Sequence, residues 1–206
     1  MTNSSDDARR WDARFAAPAY LFGTEPNAFL AGALRLVPRG QCVLFVADGE
    51  GRNSVFAAEQ GYRVTAFDVS PVAVAKARAL AAMRGVEVDV QIAGLDEWEW
   101  TPGRFDAVAA IFIQFAPPAA RVRAFAGMVR TLRPGGLLML QGYTPRQLTY
   151  GTGGPPLEEN MYSEALLREA FGDHEILELA EYDAEISEGA GHHGMSALMD
   201  CIVKKR

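Results

Sequence analysis

The segment VLFVADGEGRN at residues 43–53 constrains the fold more than any other part of the sequence. It begins with an apolar run of the kind that forms a strand buried on both faces of a parallel sheet. Two glycines one residue apart, Gly49 and Gly51, follow at once, and a helix-like segment begins behind them. A strand, a glycine turn and a helix in this order predict an open α/β sheet with a nucleotide-like ligand lying across the turn.

The alternation of strand and helix patterns continues along the chain. Strands are predicted at 41–47, 62–68, 86–93, 105–113 and 137–144, and helices at 52–60, 71–84, 119–132 and 163–171. Pro26 is predicted to open a further helix at its first position, and Ser70 to cap the helix after the second strand. Runs at 175–186 and 196–205 are predicted to pair as a hairpin around a loop at 187–195. The patterns predict one α/β domain with a doubly wound, Rossmann-like, mostly parallel seven-stranded sheet, helices on both faces and a C-terminal antiparallel hairpin.

The charge balance narrows the classes of partner. The 206 residues include 20 Lys and Arg against 26 Asp and Glu, so the formal net charge of −6 indicates no basic surface for nucleic acid. Cys42 and Cys201 have neither C-x-x-C spacing nor a Cys/His cluster around them, which indicates a reducing compartment and no structural zinc. The polar start and the short apolar runs predict a soluble, cytoplasmic monomer or homodimer with no membrane segment.

Residues around the glycine turn indicate which ligand it holds. Asp68, at the end of the second predicted strand, is a suitable acceptor for the two hydroxyls of a ribose. Ser54 occupies the third position of a G-x-G-x-x-G dinucleotide fingerprint, and Asp48 and Glu50 are expected to lie near the mouth of the turn. Carboxylates there repel a pyrophosphate but tolerate a ligand with an amino group and a sulfonium. A P-loop nucleoside triphosphatase is excluded because no G-x-x-x-x-G-K-[ST] run occurs.

The run VLFVADGEGRNSVFAAEQGYRVTAFDVSPVAVAKARALA, with LRPGG before the fifth strand and the terminal hairpin, resembles the class I S-adenosylmethionine-dependent methyltransferases. Its central part is most similar to the tellurite-resistance and thiopurine methyltransferase-like branch. YLFGTEPNAFL is similar to the N-terminal cofactor-covering segment of that branch, here assigned to 1–38. The resemblance implies methyl transfer from S-adenosylmethionine to a small-molecule acceptor, with S-adenosylhomocysteine as product and without a metal. The run GTGGPP predicts a lid loop on the substrate side, within 145–162.

The resemblance also implies a set of cofactor-binding residues. They are Trp11, Tyr20, Ala47, Asp48, Gly49, Gly51, Asn53, Asp68, Val69, Gly94, Leu95 and Ile111. The methionine part of the cofactor would contact the glycine turn, the ribose Asp68, and the adenine Val69 and Gly94. The sequence departs from the family at Phe45, where an acid is usual, and at Ala47, where a glycine is usual. Asp48 is the nearest substitute for the missing acid.

The acceptor class depends on whether a general base faces the methyl group. A thiolate or another soft chalcogen needs little help, whereas a phenol or an amine must lose a proton. His192 and His193 are the candidate bases, and because neighbours in an extended segment point to opposite sides, at most one is expected in the cleft. A solvent-exposed hairpin loop is the alternative interpretation. The predicted catalytic residues are His192, His193, Tyr143 and Gln114, and the predicted acceptor-binding residues are Arg146 and Tyr150.

Four functions remain open from the sequence. The resemblance to the branch favours a thiol or another chalcogen nucleophile as acceptor. A small-molecule O- or N-methyltransferase with a histidine base is the alternative within the same class. A nicotinamide-dependent oxidoreductase and a non-catalytic nucleotide-binding module are the alternatives from other classes, and binding of S-adenosylhomocysteine against NAD distinguishes them.

Overall fold

The computed structural model describes residues 4–206, which form one seven-stranded sheet flanked by helices. The first three residues of the predicted covering segment lie outside the described residues. The strands are β1 (Cys42–Val46), β2 (Arg63–Asp68), β3 (Asp89–Ile92), β4 (Phe105–Ile111), β5 (Leu132–Tyr143), β6 (Glu175–Glu188) and β7 (His192–Lys204). The α-helices are α1 (Ser4–Phe15), α2 (Ala28–Ala33), α3 (Arg52–Glu59), α4 (Pro71–Arg84), α5 (Pro118–Thr131), α6 (Gln147–Tyr150) and α7 (Glu164–Phe171). Single 3₁₀ turns occupy Leu34–Leu36 and Glu158–Asn160.

The strand order is β3-β2-β1-β4-β5-β7-β6, which confirms the predicted fold class. Strands β1 to β5 pair in parallel, while β7 pairs antiparallel with both β5 and β6. The chain order reverses between β1 and β4, and in open α/β sheets a ligand binds beyond the carboxyl ends of the strands at such a point. The sheet therefore places the ligand site at the ends of β1, β2 and β4.

Both faces of the central strands are buried, because alternate residues of one strand point into two separate apolar layers. Leu44 and Val46 of β1 join the layer that contains α5 and α7. Val43 and Phe45 join the layer formed with α2, α3 and α4. Phe45, at the position where the family has an acid, is only 2% exposed. The acid is therefore replaced here by a residue of the apolar layer.

Side-chain caps fix where three helices begin. Ser70 accepts a hydrogen bond from the Ala73 amide at the start of α4, as predicted, and Ser163 caps α7 in the same way. The prediction for Pro26 was wrong by two residues. Asn27 caps α2, which begins at Ala28, because its side chain accepts a hydrogen bond from the amide three residues ahead.

The C-terminal hairpin is longer than its sequence pattern indicated. The ladder between β6 and β7 continues to the pair Glu188 and His192, so the connecting loop is 189–191 instead of 187–195. The glycines and histidines of this region were interpreted as loop residues, but backbone pairing with β6 keeps them extended. His192 and His193 consequently lie on a strand, and alternation sends their side chains to opposite faces. No helix in 4–206 is long and apolar enough to cross a bilayer.

Candidate active site

A cleft of about 760 Å³ lies at the carboxyl ends of β1, β2 and β4. Helix α1 and the segment that follows it form one wall, and loop 153–157 forms another. Thirteen of the sequence-predicted residues line this cleft: Trp11, Ala47, Asp48, Gly49, Asn53, Asp68, Val69, Gly94, Leu95, Ile111, Gln114, Tyr143 and His192. The structure thus brings together most of the residues that the resemblance implied, on elements separated widely in sequence.

In the glycine turn after β1, every second residue from Ala47 to Gly51 has a backbone φ angle in the left-handed region. Ala47, Gly49 and Gly51 have φ angles of 48°, 62° and 89°. Gly51 does not line the cleft; it packs α3 against α4, where a Cβ atom would lie 2.7 Å from the Ala77 Cβ and 2.8 Å from its Cα. Gly51 therefore supports the turn from behind, and Ala47 and Gly49 present backbone to the cleft.

Two buried carboxylates lie at the base of the turn. Asp68 accepts hydrogen bonds from the amides of Gly49 and Ser70, each 2.9 Å long, and desolvation raises its pKa to about 6. Neither oxygen of Asp48 has a hydrogen-bond partner among residues 4–206. Burial, with a smaller contribution from the charge of Asp68, raises the pKa of Asp48 to about 7, although the neighbouring Ser54 opposes this. An unpartnered carboxylate in a cleft wall fits a ligand that brings hydrogen-bond donors or positive charge.

Glu50, in the same turn, does not face the mouth of the cleft, so its expected position was wrong. Its carboxylate is buried and accepts hydrogen bonds from the Leu21 amide and the Lys76 ammonium, both 2.7 Å long. Lys76 also donates to the carbonyls of Ala17 and Ala19. The segment after α1 is thereby joined to the glycine turn and to α4. We call residues 16–24 the cover.

The cover is also joined to the tip of the C-terminal hairpin. The Gly191 amide donates to the Leu21 carbonyl at 2.9 Å. Tyr20 belongs to the cover but does not line the cleft; its hydroxyl donates to the Lys76 carbonyl, and its ring lies 5.5 Å from the Lys76 ammonium. Tyr20 therefore helps to hold the cover in place, and its predicted contact with the cofactor is not made from this position.

His192 is the histidine that enters the cleft, while His193 is exposed on the opposite face of β7. The His192 ring is 9% exposed and lies among aromatic rings, with centroids 4.4 Å from both Phe22 and Phe112. Desolvation lowers the pKa of His192 below its ordinary value, and Arg52 and Arg14 lower it further. The imidazole is therefore neutral at neutral pH and can accept a proton.

A buried carboxylate, Glu188, stands beside His192. Its Oε2 lies 3.8 Å from the Nδ1 of His192 and accepts a 2.6 Å hydrogen bond from Arg52. Its Oε1 accepts a 2.9 Å hydrogen bond from Asn27. These contacts and the nearby histidine keep the Glu188 pKa below its ordinary value in spite of burial. Glu188 therefore stays ionised, and its carboxylate lies beside the buried His192 Nδ1, which has no hydrogen-bond partner among the described residues.

Tyr143 and Gln114 line the cleft in different ways. The Gln114 side chain donates to the Tyr143 carbonyl at 2.7 Å and accepts from the Tyr143 amide at 2.5 Å. Gln114 therefore joins the end of β5 to the loop after β4, which is a positioning role and not a proton transfer. The Tyr143 hydroxyl is buried without a hydrogen-bond partner among the described residues, and burial raises its pKa. Tyr143 thus contributes a neutral hydroxyl and an aromatic face.

Arg146 and Tyr150 do not line the cleft. Arg146 is exposed and forms a 2.7 Å ion pair with Asp183 of β6, and Tyr150 also lies close to Asp183. The short helix α6 turns both side chains toward the hairpin, a direction that the loop-like sequence did not indicate. Their predicted contacts with the acceptor are not made in this arrangement.

Several cleft residues were missed from the sequence. They are Arg14, Phe22, Arg52, Phe115 and Asn160, together with Glu188 beside His192. Arg52 belongs to the quoted GRN run, so its position at the start of α3 was a usable signal. Glu188 could have been found from strand pairing, since it lies directly across the ladder from His192. Within residues 4–206 there is no group of three or more histidine, cysteine or acidic side chains arranged to hold a metal ion.

Part of this chain is similar to known proteins. Residues 43–136 match the family model described as a methyltransferase domain. The ribosomal protein L11 methyltransferase of Symbiobacterium thermophilum is 35% identical over 130 residues, which are 61% of this chain and 41% of that protein. The chain spans about two fifths of the length of the curated relatives it matches.

Two solved structures share the fold over nearly the whole chain. One, described as "Conversion of a Disulfide Bond into a Thioacetal Group during Echinomycin Biosynthesis", has a TM-score of 0.80 at 17% identity, covering 97% of this chain and 92% of the other. TehB from Haemophilus influenzae has a TM-score of 0.70 at 17% identity, covering 97% of this chain and 67% of the other. The shared fold includes the cover and the C-terminal hairpin, which lie outside the matched residues 43–136.

Proposed function

We propose that this chain, which contains a class I methyltransferase domain, transfers a methyl group from S-adenosylmethionine to a small-molecule acceptor. The observation that carries the proposal is the cleft at the β1–β4 switch point, where the left-handed turn, two buried carboxylates and a neutral histidine face one cavity. The cover and the loop at 153–157, within the segments 1–38 and 145–162, would enclose the ligands. The matched domain and the shared fold support the same conclusion.

The residues of the cleft fit S-adenosylmethionine. Asp68 would accept hydrogen bonds from the ribose hydroxyls, and Asp48, which lacks a partner, would face the positive charges of the amino-acid part. Ala47 and Gly49 would present backbone to the same part, and a rim of Val69, Gly94 and Leu95 would contact the adenine. When bound, S-adenosylmethionine supplies a methyl group on a sulfonium, a good leaving group. The chain's own residues must align the acceptor and exclude water.

His192 is proposed as the general base for the acceptor. Its Nε2 would take the proton of a hydroxyl, thiol or amine as the nucleophile attacks, and Glu188 would stabilise the imidazolium that forms. The rings of Phe22, Phe112 and Tyr143 surround the imidazole and shield this end of the cleft from water. A buried, neutral base supports an acceptor that has a proton to lose, such as a phenol or a thiol.

Thiols remain the acceptors favoured by the resemblance, and O- or N-acceptors are the alternative. An ordinary thiol has a pKa of about 8.5 and a phenol about 10, so both gain from a base at neutral pH. An acceptor that is already ionised, such as a selenide, would not depend on His192. The dependence of turnover on this residue therefore separates the two kinds of acceptor.

Two experiments test the proposal. Titration with S-adenosylhomocysteine and with NAD, followed by calorimetry, should give tight binding of the first alone; tight binding of NAD alone would support an oxidoreductase instead. Thiols, phenols, amines and chalcogen oxyanions are then screened by release of S-adenosylhomocysteine.

His192→Ala and His193→Ala form a matched pair for the catalytic role. The first should lower turnover of protonated acceptors by at least about 100-fold, the usual contribution of a general base, with unchanged S-adenosylhomocysteine affinity. The second should change neither, because His193 is exposed on the other face of β7. Equal effects of both substitutions would contradict the base assignment.

A further inference from the structure

Arg14 of α1 lines the cleft and is exposed, without a carboxylate partner among residues 4–206. Three arginines line the cleft, and two have carboxylate partners: Arg10 pairs with Asp7 at 3.3 Å and Arg52 with Glu188 at 2.6 Å. Among residues 4–206, no carboxylate lies within ion-pair distance of Arg14. A cation at the entrance of a binding cleft without a protein counter-ion is available to an anionic ligand.

Aromatic rings hold the Arg14 guanidinium in place. Its central carbon lies 4.8 Å from the Trp11 ring centroid and 5.9 Å from that of Phe22. Such contacts restrict a flexible side chain while they leave its N–H groups free at the edge. Arg14 is thus oriented for a planar anion such as a carboxylate, with which it can form two parallel hydrogen bonds.

The neighbours of Arg14 place it at the acceptor end of the cleft. Phe22, one of the rings below the guanidinium, is also 4.4 Å from the His192 ring. The next residue of the helix, Phe15, points instead to the glycine turn after β1. A Cβ atom added at Gly49 would lie 3.5 Å from the Cζ atom of the Phe15 ring. Of the acidic residues that line the cleft, Asp48 and Asp68 are buried at the glycine turn after β1, whereas Asp7 and Asp96 are paired with Arg10 and Arg123. Near His192 the charges of Arg52 and Glu188 offset each other, and Arg14 is the cleft arginine that has no carboxylate partner among residues 4–206.

We propose that the methyl acceptor carries an anionic group, a carboxylate or its equivalent, on a planar apolar body, and that Arg14 binds this group. The proposal rests on the proposed function, because it places the nucleophile of the acceptor at His192. The aromatic walls contact the body of the acceptor, and its charge lies at the entrance. The anion-binding role predicted for Arg146 thereby passes to Arg14, since Arg146 is paired with Asp183 away from the cleft.

Matched acceptors with and without a carboxylate test the proposal. One pair is 3,4-dihydroxybenzoate and catechol, and the other is 3-mercaptobenzoate and thiophenol. Arg14→Gln should lower kcat/KM for the carboxylated member about tenfold, the lower end for a charge-assisted hydrogen bond at an accessible site, and change the uncharged member less than about twofold. Arg14→Lys should restore part of the loss, and Arg146→Gln is the control that should change neither member.

Binding without turnover gives a second readout. Calorimetry should detect 3,4-dihydroxybenzoate binding to the wild-type protein loaded with S-adenosylhomocysteine, and the affinity should fall about tenfold in Arg14→Gln. This measurement stays informative if no acceptor of the screen is methylated. Failure of the proposed function appears separately, as absence of S-adenosylhomocysteine binding.

Three results would overturn the proposal. Arg14→Gln could lower kcat/KM equally for both members of each pair, which would indicate a role in holding the cover. It could weaken S-adenosylhomocysteine and leave 5′-methylthioadenosine unaffected, which would assign Arg14 to the carboxylate of the donor. The wild-type protein could also show no binding of the carboxylated ligands, or no preference for them over the uncharged ones.

Discussion

Replacement of Asp48 by Asn should make the stability of the unliganded protein less dependent on pH. The carboxylate oxygens of Asp48 are buried, and this burial raises the pKa from the ordinary 3.8 to about 7. Between these two values the folded chain holds a proton that the unfolded chain has lost. The free energy of unfolding must therefore fall as pH rises through this range.

The size of the effect follows from the two pKa values. A full titration from below 3.8 to above 7 removes about 4 kcal/mol, at about 1.4 kcal/mol for each pH unit between them. Between about pH 5.5 and about pH 8, the same linkage gives about 2 kcal/mol. Asn cannot ionise, so this loss should be absent from Asp48→Asn. Asp68, whose pKa is raised to about 6, is present in both proteins, so the pH dependence that comes from its own burial remains in the variant.

Urea denaturation at the two pH values measures the difference directly. The wild type should lose about 2 kcal/mol more than the variant on going from about pH 5.5 to about pH 8. At about pH 8 the variant should also bind S-adenosylhomocysteine about tenfold more weakly, because it lacks the charge that faces the amino-acid part. Equal pH dependence in both proteins would refute the assignment of a raised pKa to Asp48.

Three further substitutions test other parts of the structure. Gly51→Ala should lower the free energy of unfolding, measured in urea, by about 3 kcal/mol, because the new Cβ atom adds a clash to left-handed backbone strain. Gly61→Ala is the control: its φ is also positive, at 87°, but it faces open space, so the loss should be about 1 kcal/mol. Equal losses would contradict the packing role of Gly51. Glu50→Gln should increase limited proteolysis within 16–24 because the cover loses its buried ion pair, and unchanged cleavage would show that other contacts hold it. In Glu188→Gln the acidic limb of the pH profile of kcat/KM should move to lower pH, because the carboxylate raises the pKa of His192. The plateau value of kcat/KM should also fall. Movement of the acidic limb to higher pH would exclude the proposed contact.

Local signals in the sequence accounted for the sheet and for the donor end of the cleft. The apolar run before Gly49 could only be a buried strand, and the cap at Ser70 and the acid at Asp68 are determined within a few residues of their partners. These features need no knowledge of distant contacts. The strands and the Ser70 cap are therefore found where the sequence placed them, with element ends displaced by a few residues, while the ligand contacts of Asp68 stay a prediction.

The acceptor end depended on pairings across long sequence separations. Glu50 was interpreted as facing the cleft, but it turns inward because Lys76 and the Leu21 amide neutralise it. Arg146 was predicted to bind the acceptor, but it forms an ion pair with Asp183 of β6. Arg14 had no signal of its own, since an arginine on a polar helix is ordinary until its neighbours are known. The hairpin glycines resembled a loop because turn composition outweighs strand pairing when a sequence is considered alone.

The hydrogen bond between Gly191 and Leu21 joins the part of the cleft that retains the donor to the strand that presents His192. Movement of the cover away from the turn would therefore also pull on the hairpin that holds the base. Exchange of the spent donor and loss of the proton-accepting arrangement would then be one event. Under the proposed function, one movement would both release the product and reset the base, and such opening steps set the turnover rate of many enzymes.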